Sequence, residues 1–392
     1  MITRLCATNY KSLRNVDLRL RPLSVLVGAN GVGKSTVLDA LRFVRDALDG
    51  DLDQAVRERG GMDAVRRRSS GHPALVGLRL DLATEAFAAS YRFALGPDER
   101  HGFEVVSERC EVQPLHDVTR ARRFALAGGV VLEGEPELQA ASPKRDLFLR
   151  SVSAQPPFDA VHRALRSIAV VNPNPTQLRE YQKPDGQAFL ARDASNLASI
   201  VRRLREYHPE RYARALRSLA AVVPGITAVE HYAAGPRETL RFRQTMDNDA
   251  AWSFFAPSMA DGALRATALL IAAQQPDVLT LGIEEPEATL HPAAVRILTD
   301  ALVEASQETQ VVLSTHAPDL LDHPGVGLDG VYVVGQRRGV SFVQPLPEHL
   351  RAAVAHGGAS IGDLLRSGQL LPEAATPQAR AAARWLFEPP PS

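Results

Sequence analysis

The chain has 392 residues, 45% hydrophobic and 23% charged, which is typical of a globular protein of two or three structural units. Its 45 basic and 45 acidic residues cancel, so any nucleic-acid contact has to come from a local patch. With only Cys6 and Cys110 and no apolar run of ~20 residues, we expect no disulfide framework, cysteine zinc site or membrane span, and a cytoplasmic location.

The N-terminal part of the chain predicts three strands and a helix. Short apolar or alternating runs at 2–8, 16–20 and 23–27 are typical of strands, and the last run ends at Gly28. Apolar side chains then recur at helical spacing over 35–48.

The middle of the chain predicts a mixed insertion. Strand patterns occur at 74–82, 90–95, 103–113 and 168–171, and a further β-like stretch covers 226–256. A single helix is expected over 194–222, and the Arg-rich stretch 115–160 receives no assignment.

From residue 257 helices and strands alternate. The expected elements are a helix over 263–274, a strand over 278–283, a helix over 292–306, a strand over 310–314 and a helix over 317–322. This alternation predicts a parallel sheet with helices packed on its faces. There is no heptad run long enough for a coiled coil.

Residues 28–35, Gly-Ala-Asn-Gly-Val-Gly-Lys-Ser, match the phosphate-binding pattern G-x-x-x-x-G-K-[ST] between a strand and an amphipathic helix. Its glycines let backbone N–H groups point at phosphate oxygens, beside the positive end of the helix. We expect Lys34 to reach the β- and γ-phosphates and the Ser35 hydroxyl to ligate Mg²⁺. The candidate nucleotide-binding residues here are Asn30, Gly31, Gly33, Lys34, Ser35 and Thr36.

Two consecutive acids, Glu284 and Glu285, follow the apolar run 278–283. An acid at the end of a buried strand beside a P-loop can hold Mg²⁺, directly or through water. We assign Glu284 to the metal and Glu285 to the general base that deprotonates an attacking water. The alternative is a pair of exposed glutamates that start a helix.

Two further segments carry candidate residues. His316 follows the apolar strand over 311–315, where it could bond a γ-phosphate or position the water, although a surface histidine is the alternative. The loop 258–262 opens a helix, so backbone amides around Asp261 and Gly262 form a second candidate anion site.

The order of these four segments resembles that of the ABC-type ATPases. The residues of these motifs resemble more closely the RecF/SMC-like branch, a group of AAA family ATPases that includes DNA-repair and anti-phage ATPases. The resemblance covers about 1–50 and 255–335. Its motifs are Asn9-Tyr10-Lys11-Ser12-Leu13, the P-loop, Ala260-Asp261-Gly262-Ala263-Leu264-Arg265, Ile283-Glu284-Glu285-Pro286-Glu287, Leu290-His291-Pro292 and Ser314-Thr315-His316-Ala317-Pro318-Asp319-Leu320-Leu321.

The resemblance implies an α/β P-loop NTPase of ABC/SMC-head type, with a mixed sheet, an antiparallel β-rich part and a helical insertion. It divides the chain into 1–60 with the P-loop, the insertion 61–256, 257–345 with the signature and catalytic residues, and the tail 346–392.

The resemblance also implies a head-to-tail homodimer with two ATP molecules between its subunits. Each ATP would touch the P-loop of one subunit and the signature loop, Asp261 and Gly262, of the other. Glu285 would be the base, His316 the γ-phosphate sensor and 286–292 the D-loop, with the segment near Tyr10 beside the adenine. Glu287 and Asp319 are further candidate participants.

Three positions depart from the pattern. Ala260 stands where the family usually has a signature serine, so we expect weaker coupling of ATP to dimerisation. Glu284 replaces the aspartate commoner in ABC proteins, although this branch often has Glu. The Q-loop glutamine has no clear counterpart, and Gln54 is the nearest candidate.

The favoured function is an ATP-gated clamp or switch in DNA repair or anti-phage defence. Arginine runs at 66–68, 120–123 and 202–205 could contact nucleic-acid phosphates, although a solvated face is the alternative reading of the first run. A regulatory ATPase controlling a separate nuclease or toxin effector remains open. A transporter subunit fits the signature poorly.

Overall fold

The structure is a computed structural model that describes residues 1–68, 75–98, 102–116, 121–134, 144–245 and 250–370. The strands are β1 (Ile2–Tyr10), β2 (Leu13–Arg19), β3 (Leu23–Val27), β4 (Val76–Ala83), β5 (Phe87–Gly96), β6 (Glu104–Pro114), β7 (Arg122–Ala127), β8 (Val130–Glu133), β9 (Ile168–Val171), β10 (Ile226–Ala234), β11 (Arg237–Thr245), β12 (Ala251–Phe255), β13 (Thr280–Glu284), β14 (Gln310–Thr315), β15 (Val331–Arg337) and β16 (Val340–Pro345). The helices are α1 (Lys34–Asp49), α2 (Leu52–Arg57), α3 (Met62–Val65), α4 (Phe148–Ser151), α5 (Phe158–Arg166), α6 (Pro175–Arg179), α7 (Leu197–Tyr207), α8 (Pro209–Val222), α9 (Asp261–Ala273), α10 (Pro292–Ala305), α11 (Pro318–Leu321), α12 (Glu348–Ala355) and α13 (Ile361–Arg366).

Thirteen of the described strands form one sheet, in the order β8-β7-β6-β5-β4-β1-β2-β16-β15-β3-β14-β13-β9. At one end β15, β3, β14, β13 and β9 pair in parallel. From β2 outward to β8 the neighbours pair antiparallel. This mixed sheet confirms the predicted α/β class with an antiparallel β-rich part.

The parallel strands are covered on both faces. Along β3, Leu26 packs in the hydrophobic cluster that contains α1, whereas Val25 and Val27 pack in the cluster that contains α9 and α10. Every residue of β13 and β14 is buried. Strands covered on both faces read as continuous apolar runs, which is why the sequence pattern revealed them.

Part of the predicted insertion belongs to this main sheet. Strands β4 to β8 extend its antiparallel end, and β9 forms the opposite edge beside β13. The division of the chain at 61, 257 and 346 stays a prediction, and residues 371–392 of the predicted tail lie outside the described residues.

The single helix predicted over 194–222 is wrong in one respect, since the chain forms α7 and α8 with a break at His208. Pro209 lacks an N–H group and disfavours helical backbone at the residue before it, and His208 has φ −137° and ψ 61°. The unassigned stretch 115–160 contains β7, β8, α4 and the start of α5, where β7 pairs with β6. Among the described residues, no helix is long and apolar enough to cross a membrane.

A buried carboxyl group connects the antiparallel part of the sheet to the helices beside it. Glu108 on β6 accepts hydrogen bonds from the backbone N–H groups of Phe148 (2.5 Å) and Leu149 (2.8 Å) and from the Tyr91 hydroxyl (3.0 Å). Burial nonetheless raises the pKa of Glu108 to about 7, because removing a carboxylate from water outweighs these donors.

Replacing Glu108 by Gln tests the titration of this group. Because its folded-state pKa of about 7 exceeds the ordinary 4.5, the folded protein keeps a proton that the unfolded chain has already released. The wild-type free energy of unfolding should therefore fall as pH rises from 4.5 to about 7, and this group should account for on the order of 3 kcal/mol of the fall. Denaturant unfolding of Glu108→Gln should show a flatter pH dependence. Glu111→Gln, at a half-exposed position on the same strand, should behave as wild type; equal slopes for Glu108→Gln and wild type would contradict the assignment.

Candidate nucleotide site

The phosphate-binding loop lies between β3 and α1, as the motif requires. Gly31 has φ +77° and Gly33 has φ +108°, a left-handed backbone that favours glycine. A Cβ atom at Gly33 would overlap the Ser341 side chain on β16, and one at Gly28 would overlap the Val334 carbonyl on β15. The loop is therefore packed closely against neighbouring strands.

Lys34 is buried, with its ammonium group turned into the loop. Its Nζ donates to the carbonyl oxygens of Gly28 (2.8 Å) and Ala29 (3.0 Å). Burial lowers the pKa of Lys34, and the nearby charges of Glu285 and Glu287 oppose that shift. The lysine thus lies among loop carbonyls and close to two acids from the other half of the chain.

A hydroxyl chain ties the turn after β1 to the start of α1. Ser341 Oγ donates to Ser12 Oγ (2.8 Å), and Ser12 Oγ donates to Thr36 Oγ1 (3.4 Å). Tyr10 is completely buried, and its hydroxyl donates to Asp39 (2.7 Å). Any contact of this segment with an adenine would have to come from residues other than Tyr10.

The turns that follow β3, β13 and β14 meet at the carboxyl edge of the parallel strands. The register pairs Glu284 with Ser314, and Thr315 with Val27. The residues that follow these strands, namely Gly28, Glu285 and His316, therefore emerge at one edge of the sheet. Strand β9 pairs with β13 in the same direction, so Asn172 emerges there as well.

The two consecutive glutamates have different surroundings. Glu284 is 7% exposed, and its Oε1 accepts a hydrogen bond of 2.6 Å from Arg192. Glu285 has φ +45°, its N–H donates to the Ser314 carbonyl (2.8 Å), and its side chain is 39% exposed. The left-handed backbone turns the second carboxylate away from the buried position of the first.

His316 lies beside Glu285 and Glu287. Its Nδ1 is 3.7 Å from Glu285 Oε1 and 3.4 Å from Glu287 Oε1. Glu287 Oε1 also accepts from the Thr315 hydroxyl (2.8 Å) and from the His316 N–H (3.0 Å), while the buried Glu287 Oε2 has no hydrogen-bond partner. Glu287 therefore positions the turn that carries His316.

Arg265 joins α9 to the edge of the sheet where Glu284 and Glu285 lie. This arginine is 5% exposed, and burial lowers its pKa. Its guanidinium donates to the carbonyl oxygens of Glu284 (3.0 Å), Glu285 (2.9 Å) and Pro173 (2.6 Å) and to Asn172 Oδ1 (3.2 Å). The backbone of both glutamates is thus fixed to α9 through one side chain.

The signature loop opens α9 at the protein surface. Ala260 is the N-cap residue, and it makes no side-chain capping hydrogen bond. Arg179 on α6 forms an ion pair with Asp261 and donates to the Met259 carbonyl (2.8 Å). A Cβ atom at Gly262 would lie 2.8 Å from the Thr289 carbonyl, so the loop contacts the predicted D-loop of its own chain.

The other candidate residues have partners of their own. Gln54 is on α2, where its Nε2 donates to Glu58 (2.9 Å), and its Q-loop role stays a prediction. Asp319 pairs with Arg366 on α13 (3.2 Å). Of the arginine runs, Arg66 pairs with Asp63, and Arg120 lies outside the described residues.

Sequence reasoning missed Arg192 and assigned no role to Asn172 or Arg265. A signal existed for Asn172, because it follows a short apolar strand as Glu284 does. None existed for Arg192, whose partner Glu284 is 92 residues away.

The fold is of the ABC/SMC-head type. One solved structure, described as an SmcHead bound to the C-winged helix domain of ScpA, aligns with a TM-score of 0.52 and 16% identity over 89% of this chain and 99% of that one. An Smc head domain from Pyrococcus furiosus with an extended coiled coil aligns with a TM-score of 0.49 and 15% identity, over 91% and 98% of the two chains.

The chain belongs to the family described as "AAA domain, putative AbiEii toxin, Type IV TA system", whose model matches residues 23–113 and 129–322. A curated relative, the OLD nuclease of Thermus scotoductus (strain ATCC 700910 / SA-01), is 46% identical over 44 residues. That match covers 11% of this chain and 8% of the relative, so the chain spans only a small part of the nuclease's length.

The two loop glycines offer a matched pair of substitutions. Gly31→Ala places a Cβ atom in open space, so only its positive φ is penalised, by about 1–2 kcal/mol. Gly33→Ala has the same kind of penalty and an overlap with Ser341 as well. Denaturant unfolding should show a larger loss of stability for Gly33→Ala, together with a larger loss of affinity for a fluorescent ATP analogue. Equal effects of the two substitutions would mean that the loop is not packed against β16.

Proposed function

We propose that this protein binds and hydrolyses ATP with Mg²⁺, dimerises around the nucleotide and acts in DNA repair or anti-phage defence. The observation that carries the proposal is the meeting of Lys34, Glu285 and His316 at one edge of the sheet, although they are far apart in the sequence. A phosphate-binding loop and an acid able to take a proton are groups that hydrolysis of a phosphoric anhydride uses, and a histidine beside them can bond the γ-phosphate.

Nucleotide binding would use the loop and the start of α1. The backbone amides from Asn30 to Thr36 provide the phosphate cradle, and Lys34 compensates the charge of the β- and γ-phosphates. For Lys34 this means exchanging two carbonyl partners for phosphate oxygens, a stronger charge-assisted interaction.

The residues present fit a magnesium ion. The Ser35 hydroxyl and the Glu284 carboxylate are oxygen donors of the kind that Mg²⁺ prefers, and the buried, unpartnered Ser314 Oγ lies beside Glu284 in the register. When bound, the ion would neutralise charge on the phosphate oxygens. Arg192 holds the same carboxylate, so it would have to share or release Glu284 Oε1.

Hydrolysis would depend on Glu285 and His316. The Glu285 carboxylate is partly exposed, so it could accept a proton from a water molecule aligned with the γ-phosphate. His316 follows the neighbouring strand β14 and is held by Glu287, and from there it would bond the γ-phosphate. Arg265 would keep the backbone of Glu285 in its left-handed conformation during this step.

Dimerisation would bring the signature loop of one subunit onto the nucleotide of the other. Asp261 and Gly262 begin α9, and the first N–H groups of a helix have no intrahelical acceptor. Ala260 has no hydroxyl to add to them, so the backbone amides would carry the contact alone.

The role in defence or repair rests on the family description and on the similarity to a protein named OLD nuclease. The same short match favours one alternative, in which this chain is the regulatory ATPase subunit of a separate nuclease or toxin effector. Co-purification of the tagged protein with the product of a neighbouring gene, in stable stoichiometry, would support that alternative.

Lys34→Ala should abolish nucleotide binding and hydrolysis, because it removes the positive charge that faces the phosphates. We expect phosphate release from ATP to fall about 100-fold or more. Lys183→Ala, at an exposed lysine, should retain wild-type turnover. Turnover of Lys34→Ala near the wild-type rate would exclude the P-loop as the nucleotide site.

Glu285→Gln should trap an ATP-bound dimer, since Gln keeps the size of Glu and cannot take the proton. Hydrolysis should fall by about 10²–10⁴-fold, and light scattering with ATP and Mg²⁺ should show a doubled mass. Adding Lys34→Ala should return this variant to a monomer, whereas adding Ala260→Ser should strengthen the dimer through the restored hydroxyl. A variant that stays monomeric with bound ATP, even with Ala260→Ser, would contradict the two-subunit arrangement.

A further inference from the structure

The three-stranded sheet of β10, β11 and β12 has two different faces. Val229, Leu240 and Phe242 are buried on its inner face, in the cluster that contains α7 and α8. Side chains alternate between the two faces along a strand, and paired residues share a face. Because Val229 and its partner Phe242 point inward, Tyr232 and Arg241, at odd spacing from them, lie on the outer face. Tyr232 is 39% exposed, so solvent reaches this outer face.

Arginine side chains dominate the charge of the outer face. Glu230 accepts hydrogen bonds from Arg205 (3.1 Å), Arg241 (2.8 Å) and Arg243 (3.1 Å), and its side chain is only 9% exposed. The side chains of Arg205 and Arg243 are 53% and 48% exposed. Three guanidinium groups around one carboxylate leave a net charge of +2, and each guanidinium has five N–H donors, more than its contact with Glu230 uses.

Aromatic rings lie among these arginines. The rings of Tyr232 and Phe255 have centroids 4.9 Å apart, and the Arg241 guanidinium lies 5.8 Å from the Tyr232 ring centre. Among the described residues, all the exposed large aromatic side chains fall between 181 and 252. They are Tyr181, Tyr207, Tyr232 and Trp252.

We propose that this outer face, formed by Tyr232, Arg241, Arg243 and Phe255 together with the Arg205 side chain that reaches Glu230 from the end of α7, binds single-stranded nucleic acid. Arginine would contact backbone phosphates, and the tyrosine and phenylalanine rings would stack on unpaired bases. Flat aromatic groups beside exposed guanidinium groups fit a polyanion with planar bases. The neutral chain as a whole makes this local charge the source of the attraction. This inference rests on the proposed function, because it names the partner that the ATPase would act on.

The outer face is connected to the signature loop by a short stretch of chain. Phe255 ends β12, a 3-10 turn covers Ala256–Ser258, and α9 begins at Asp261. A second connection runs from β11, where Glu238 exchanges backbone hydrogen bonds with Gln182 (2.7 and 2.9 Å), three residues after Arg179, the partner of Asp261. Nucleic acid on this face should therefore alter ATP hydrolysis.

The test is binding of fluorescein-labelled oligo(dT), about 30 nucleotides long, to the full chain by fluorescence anisotropy, with ATP and Mg²⁺. Arg205→Ala/Arg243→Ala should weaken binding about tenfold and reduce the slope of log affinity against log salt by about 1.4, for two lost phosphate contacts. Tyr232→Leu keeps an apolar side chain and should weaken binding about tenfold through lost stacking. Oligo(dT) should change the wild-type ATPase rate, and these variants should lose that change with unaltered basal hydrolysis.

Two controls match these variants. Trp252→Ala removes an exposed aromatic ring whose register with Gln244 places it on the inner-face side, and Arg163→Ala removes an exposed arginine on α5. Both should bind oligo(dT) as wild type does.

Each failure has a separate meaning. Unchanged binding by the outer-face variants, with thermal unfolding as in wild type, would place the nucleic-acid site elsewhere and overturn the inference. ATP binding without any oligo(dT) or duplex binding at low salt would also overturn it, and would favour a protein partner for this face. If the wild-type protein does not bind ATP, the proposed function is refuted instead.

Discussion

The parallel pairing of β3, β14 and β13 is the constraint on which the site depends. Each strand is buried on both faces, so its N–H and C=O groups have to be satisfied by the neighbouring strand, and the register cannot shift without leaving buried polar groups unpaired. Since the strands run in one direction, their carboxyl ends share an edge. Gly28, Glu285 and His316 therefore come together although the first and the last are 288 positions apart in the sequence.

Arg265 adds a second constraint at that edge. A buried guanidinium is costly to remove from water unless its donors are paired. Here two of its three nitrogen atoms bond three carbonyl groups and one side-chain amide, while the buried Nε has no partner among the described residues. These acceptors belong to the ends of β13 and β9, whereas the arginine belongs to α9. Movement of α9 would consequently displace the backbone of Glu285, because Arg265 bonds its carbonyl group. This gives a physical route from contacts at the start of α9 to the position of Glu285.

The surroundings of the two acids separate the roles that they can take. Glu284 is buried and held by Arg192, so it is fixed in place, while Glu285 is partly exposed and near Lys34. Both the loop of Arg192 and the sheet of β10 to β12 come from the middle of the chain, between the part with the P-loop and the part with Glu284 and Glu285. If the outer face of that sheet binds nucleic acid as proposed, this middle region would link the partner to both the metal side and the signature side of the site.

The sequence by itself determined the α/β class, the P-loop and the order along the chain of the strands that end at Glu284 and just before His316. These features are local, because a glycine pattern or a buried apolar run is visible in a short window. It did not determine the break at His208, which Pro209 could have indicated. It also did not determine the short strands β7 and β8, which depend on the pairing of β7 with β6 and of β8 with β7. Only the tertiary structure decided that Arg192 holds Glu284, that Arg265 holds the backbone of Glu285 and that Tyr10 is buried. Those contacts join residues distant in sequence, and no local pattern records which partner a side chain meets once the sheet has formed.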